Sequence, residues 1–150
     1  MVQRKTRKLL AIIALQLFFI SINADNTEQT NKIQMAYYEE IKDLPNHPEV
    51  LLIDVRTPQE LVQTGKIPTS INIPLDVVER ELSDVVKPED FKNKYGRDKP
   101  AADTPLIFTC RSGRRAQQAA EIAVKLGFEN VKNYKGSWLD WAEHEGLPKE

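Results

Sequence analysis

Two apolar runs, Val50-Leu51-Leu52-Ile53-Asp54-Val55 and Leu106-Ile107-Phe108-Thr109, constrain this chain more than any other feature. Neither alternates apolar with polar residues as a strand with one wet face would. Near-continuous apolar strands belong to parallel sheets covered on both sides. Parallel neighbours need long crossovers, usually helical, and helical patterns lie between the runs. Residues 37–44 are helix-compatible and stop before Pro45. Thr57-Pro58-Gln59-Glu60 reads as an N-cap, a proline at the first helical position and an acid in the first turn, and this helix ends near Gly65. Ala116, Ala119, Ala120, Ala123 and Leu126 recur at helical spacing, and Gly127 suits a left-handed C-terminal cap.

Further strands are expected at Ile33-Gln34-Met35-Ala36, an edge, at Ser70-Ile71-Asn72-Ile73, closed by Pro74, and at Asn130-Val131-Lys132-Asn133-Tyr134. The charged stretch 75–105 opens with an amphipathic helix using Val78, Leu82 and Val85, then becomes a loop over 94–100. Ser137 is expected to cap a closing helix through Trp138, Leu139, Trp141 and Ala142, its two tryptophans facing the core. The fold class is therefore α/β: a three-layer α/β/α domain with a mainly parallel sheet of about five strands.

The 150 residues, 41% hydrophobic and 29% charged, fit one globular domain, assigned to residues 33–150. A formal net charge of −1 offers no field to recruit nucleic acid or an anionic membrane. One cysteine excludes an intrachain disulfide and a cysteine-rich zinc site, and His47 and His144 lack ligand-like spacing, so neither a metal nor a cofactor is expected. The N-terminus is a separate object. Arg4, Lys5, Arg7 and Lys8 precede an uncharged stretch, residues 9–24, that is shorter than the roughly 20 apolar residues of a spanning helix. Residues 1–24 read as a signal peptide cleaved after Ala24, or as a signal anchor, with a polar linker over 25–32. The expected destination is the secretory pathway, with a mitochondrial or membrane-anchored location as the alternative.

Cys110 ends the second apolar run, and Arg111-Ser112-Gly113-Arg114-Arg115 follows before the alanine-rich helix. In a parallel sheet, sites form at the carboxyl ends of strands, where Asp54 and Arg56 also fall. Successive amide N–H groups of such a loop, a helix N-terminus and three arginines all favour the thiolate, which is the nucleophile. No Ser-His-Asp or Cys-His pairing is apparent, so this setting must activate the sulfur. Two reactions suit a bare thiolate: attack on a sulfane sulfur, giving a persulfide, and attack on a phosphate ester. A cysteine-dependent phosphatase needs Cys, five residues, then Arg, so that a guanidinium fork clamps the phosphoryl group. Counting past Cys110, that position holds Ala116, and Arg115 stands one step early. The shorter loop favours sulfur.

The segments Asp54-Val55-Arg56-Thr57-Pro58-Gln59-Glu60, Gly65-Lys66-Ile67-Pro68-Thr69-Ser70-Ile71-Asn72-Ile73-Pro74, Cys110-Arg111-Ser112-Gly113 and Gly136-Ser137-Trp138 resemble, in order and spacing, the rhodanese (thiosulfate sulfurtransferase) domain. The match is nearest the small single-domain type, which includes thiosulfate:glutathione sulfurtransferases and insect heat-shock-locus rhodaneses. This resemblance implies that Cys110 takes the sulfane sulfur of thiosulfate, releases sulfite and passes the sulfur to glutathione, another thiol or cyanide. It implies that the amides of Arg111, Ser112, Gly113, Arg114 and Arg115 surround the outer sulfur. Arg111 and Arg115 become candidates for the anionic donor or for glutathione carboxylates. Asp54 and Arg56 are read as supporting residues, Asp54 accepting hydrogen bonds near the loop and Arg56 pairing with Glu60. Lys66 and Thr69 depart from a common histidine and glycine in a turn, and Ser112 stands where two-domain enzymes carry lysine. Competing readings are a non-catalytic module that binds a protein partner, a persulfide carrier serving a protein thiol, and the phosphatase.

Overall fold

The computed structural model describes residues 33–149, and the expected leader (1–24) and linker (25–32) lie outside them. Five strands form one parallel sheet: β1 (Ile33–Ala36), β2 (Leu51–Asp54), β3 (Ile71–Asn72), β4 (Leu106–Thr109) and β5 (Val131–Tyr134). Their order is β1-β5-β4-β2-β3, so the strand that ends at Cys110 is central. Every pairing is parallel, with Asp54 level with Thr109 and Leu106 level with Val131. Five α-helices lie between them and a sixth follows β5: α1 (Tyr38–Asp43), α2 (Pro58–Thr64), α3 (Val78–Leu82), α4 (Pro88–Tyr95), α5 (Arg114–Lys125) and α6 (Ser137–Glu145).

The two faces of the sheet carry two cores. Leu51, Ile53, Leu106, Phe108 and Cys110 pack with the alanine face of α5, with Val78 and Leu82 of α3 and with Phe91 of α4. Leu52, Ile107 and Tyr134 point the other way, onto Ile41 of α1 and Trp138 and Trp141 of α6. The period-2 alternation along an all-apolar strand therefore feeds both layers at once. Ala116, Ala119, Ala120 and Ala123 are fully buried. Their small side chains let α5 lie close against the sheet beside the site. Its C-terminus closes as a Schellman turn: Phe128 N–H donates to Ala123 O, Gly127 N–H donates to Val124 O, and Gly127 has φ 96°.

Three local expectations are corrected. The helix through Val78 and Leu82 ends at Leu82, and Val85 lies beyond it, 77% exposed. The next helix, α4, covers Lys94 and Tyr95, where a loop was expected. Pro88 occupies its first position, only Phe91 is buried, and Gly96 closes it in the left-handed conformation. Ser137 does not cap α6: Gly136 holds the N-cap position without a side-chain bond, and Ser137 is buried with φ 52°.

Candidate active site

Cys110 is 1% exposed at the carboxyl end of β4. Gly113 N–H donates to Cys110 Sγ at 3.1 Å. An amide aimed at sulfur stabilises negative charge there, which is what a nucleophilic sulfur carries. Gly113 permits this geometry twice over. Its φ is 88°, and a Cβ built on it would stand 2.1 Å from the backbone oxygen of Lys135. The loop therefore presses against the turn between β5 and α6, at a distance only glycine allows.

That turn holds the loop through polar contacts the sequence did not disclose. Ser137 Oγ accepts the Cys110 N–H at 3.0 Å, donates to Tyr134 O at 2.7 Å and lies 3.9 Å from Sγ. The first amides of α6 are spent on the loop as well: Trp138 N–H donates to Cys110 O and Leu139 N–H to Arg111 O. These donors have no partner inside their own helix, and the loop supplies one. Asn133 Nδ2 adds a bond to Gly113 O at 3.3 Å and one to Gln117 Oε1 at 3.0 Å. Ser137 and Asn133 were missed because a serine opening a helix reads as a cap, and an asparagine in a strand signals nothing until β4 and β5 are paired. The one sequence signal for Ser137 is the Gly136-Ser137-Trp138 motif.

The other flank is a buried ion pair. Arg56 gives Asp54 three side-chain bonds, Nε at 3.1 and 3.0 Å to the two carboxylate oxygens and Nη2 at 2.7 Å, and its own N–H adds a fourth at 3.0 Å. Both side chains are 1% exposed. Arg56 also donates to Thr64 Oγ1 and Gly65 O, and its guanidinium lies 4.8 Å from the Trp138 ring centre. A pair this well satisfied fixes the end of β2 beside the Cys110 loop. Asp54 thus accepts hydrogen bonds as expected, whereas Arg56 pairs with Asp54 rather than with Glu60. Glu60 instead binds Arg115: Nη1 to Oε2 at 2.8 Å and Nη2 to Oε1 at 2.6 Å. It also accepts the Thr57 N–H at 2.9 Å and closes a capping box on α2. The Arg115 guanidinium, foremost among these partners, holds the Glu60 carboxyl down at about 2.

The remaining predicted residues separate. Ser112 and Arg114 are exposed, while Arg111 is half-buried and lines a cleft of about 360 Å³ with Arg56, Glu60, Gln63, Thr64, Trp138 and Lys149. A larger cavity of about 410 Å³ lies among Gln34, Val50, Leu106 and Lys132, at the amino ends of the strands. It lies at the opposite end of β4 from Cys110, whereas Arg111, the next residue after Cys110, lines the smaller cleft. Both histidines lie on the surface and are engaged elsewhere, His47 with Asp43 and Glu49, and His144 with Asp140. Among the described residues no group of acidic, histidine and cysteine side chains forms a metal site.

Residues 37–144 match the family model of the rhodanese-like domain. The rhodanese domain-containing protein CG4456 of Drosophila melanogaster is 58% identical over 113 residues, 75% of this chain and 100% of the relative. The human thiosulfate:glutathione sulfurtransferase is 35% identical over 107 residues, covering 71% of this chain and 90% of the relative. Among solved structures, the human single-domain sulfurtransferase TSTD1 superposes with a TM-score of 0.65 at 32% identity, over 73% of this chain and 95% of that one.

Proposed function

The chain belongs to the rhodanese-like domain family, with single-domain sulfurtransferases among its relatives, and from that premise we propose that it moves sulfane sulfur from thiosulfate to a small thiol through Cys110. The cysteine thiolate attacks the outer sulfur of thiosulfate. The S–S bond of the donor breaks, its electron pair leaves with sulfite, and a new S–S bond makes Cys110 a persulfide. An acceptor thiolate then attacks the outer sulfur and returns Cys110 to its thiolate, leaving the acceptor as a persulfide. Glutathione is the favoured acceptor, on the likeness to a relative named for it. Cyanide would accept by the same displacement.

The observation that carries this reading is the Gly113 N–H on Sγ in a site with no histidine beside it. Acyl transfer needs a proton donor for its leaving group, whereas sulfite leaves as an anion and needs none. Incubation with thiosulfate followed by intact-mass measurement should show one added sulfur atom, absent from Cys110→Ser. An unmodified wild-type protein, or equal loading of the serine variant, would sink the reading. We assign residues 1–24 to export. Fusion of residues 1–31 to a reporter tests this, and a reporter retained in the cytosol counts against it.

A further inference from the structure

The Arg115 side chain is already occupied by an anion, and that anion is part of the protein. Glu60 meets the guanidinium as a two-point fork, each terminal nitrogen to its own carboxylate oxygen, at 2.8 and 2.6 Å. A phosphoryl or sulfonate group would use the same planar face. The two side chains are 33% and 27% exposed, so the pair is shielded on most sides, and Glu60 lies at the rim of the cleft. Glu60 is itself held in place, because Thr57 N–H and Oγ1 both bond its Oε2 and α2 begins there. Fixing the carboxylate from the α2 side removes the freedom Arg115 would need to turn toward a ligand. Arg115 is the second residue of α5 and stands two positions after Gly113, whose N–H bonds Cys110 Sγ, so the ion pair adjoins the loop that holds the sulfur.

We propose that Glu60 is a specificity-determining residue: by occupying Arg115 it denies tetrahedral oxyanions, phosphate esters above all, a guanidinium clamp beside Cys110. The loop length already displaces the arginine by one position, and Glu60 closes the remaining route by which it would serve. The inference deepens the sulfur-transfer reading of this site, but its test needs no turnover. A failure of Cys110 to load sulfur leaves the following measurement intact.

Inorganic phosphate is titrated calorimetrically into the full chain and into Glu60→Gln, which keeps a capping-box residue at the third helical position. The variant should bind phosphate about tenfold more tightly, the scale of one freed charge-assisted fork. Glu60→Asp should stay at the wild-type affinity, and Glu60→Gln combined with Arg115→Met should return to it. If Glu60→Gln does not fold, Arg115→Met in the otherwise native chain decides the matter. Phosphate affinity equal to wild type supports the proposal, since Arg115 is already withheld. Loss of phosphate affinity in Arg115→Met overturns it, as does a Glu60→Gln affinity no tighter than wild type or a gain that survives removal of Arg115.

Discussion

The Ser137 hydroxyl accepts the Cys110 amide and donates a hydrogen bond to Tyr134 O, inside a residue that pays backbone strain at φ 52°. Ser137→Ala strands a buried N–H and keeps the strain, at an expected loss of about 1–3 kcal/mol. Ser137→Gly loses the same bonds but accepts the left-handed backbone freely, and should recover about 1 kcal/mol of that loss. Urea unfolding of the three proteins should rank serine above glycine above alanine. A serine-to-alanine change without effect would mean that the loop does not need this acceptor. Sequence reading placed Cys110, Asp54 and Arg56 correctly at strand ends, because a strand's terminus is local information. It paired Arg56 with Glu60, four positions away, since helical spacing was the only geometry it possessed. The actual partner of Glu60, Arg115, becomes visible only when α2 and α5 are brought together at the head of the sheet.

Among the elements, α2 has an unusual standing: it buries no side chain, so its place depends on its ends. Thr57 caps it, and Glu60 ties the cap to the first turn of α5. Thr57→Ala should cost about 1 kcal/mol. Combined with Arg115→Met, the two losses should depart from additivity by at least about 0.5 kcal/mol, because both act through one carboxylate. Strict additivity in a denaturation cycle would separate the cap from the ion pair. The caps that carry sequence signatures, Thr57 for α2 and Gly127 after α5, were legible as such. The helix α4 was not: eight residues with a single buried side chain, Phe91, give too few apolar positions for a period to emerge. Val85 misled in the opposite direction, being apolar at the right spacing but beyond the end of its helix.

For the molecule as a whole, Glu60 sets an acid limit. Its carboxyl titrates near 2 in the folded protein against 4.5 for the free side chain, chiefly because Arg115 bonds it. A lowered folded value contributes stability that is complete above pH ~4.5 and lost as pH falls toward ~2. Urea midpoints measured from pH 5 down to pH 2.5 should fall more steeply for the wild type than for Glu60→Gln, and parallel curves would refute the assignment. The architecture itself was readable because two apolar runs without alternation admit few sheets, and the chain adopts the parallel one. What no run of residues announced was the neighbour of the opening strand. Among the described residues β1 pairs with β5 alone, the first of the five strands with the last. Non-local pairing of this kind forms slowly, since distant segments must meet before any contact rewards them. During synthesis β1 therefore waits for nearly the entire domain to leave the ribosome. The cradle around Cys110, built from β4, β5 and α6, cannot assemble on a partial chain, and a nascent molecule carries its thiol without the folded loop that meets it.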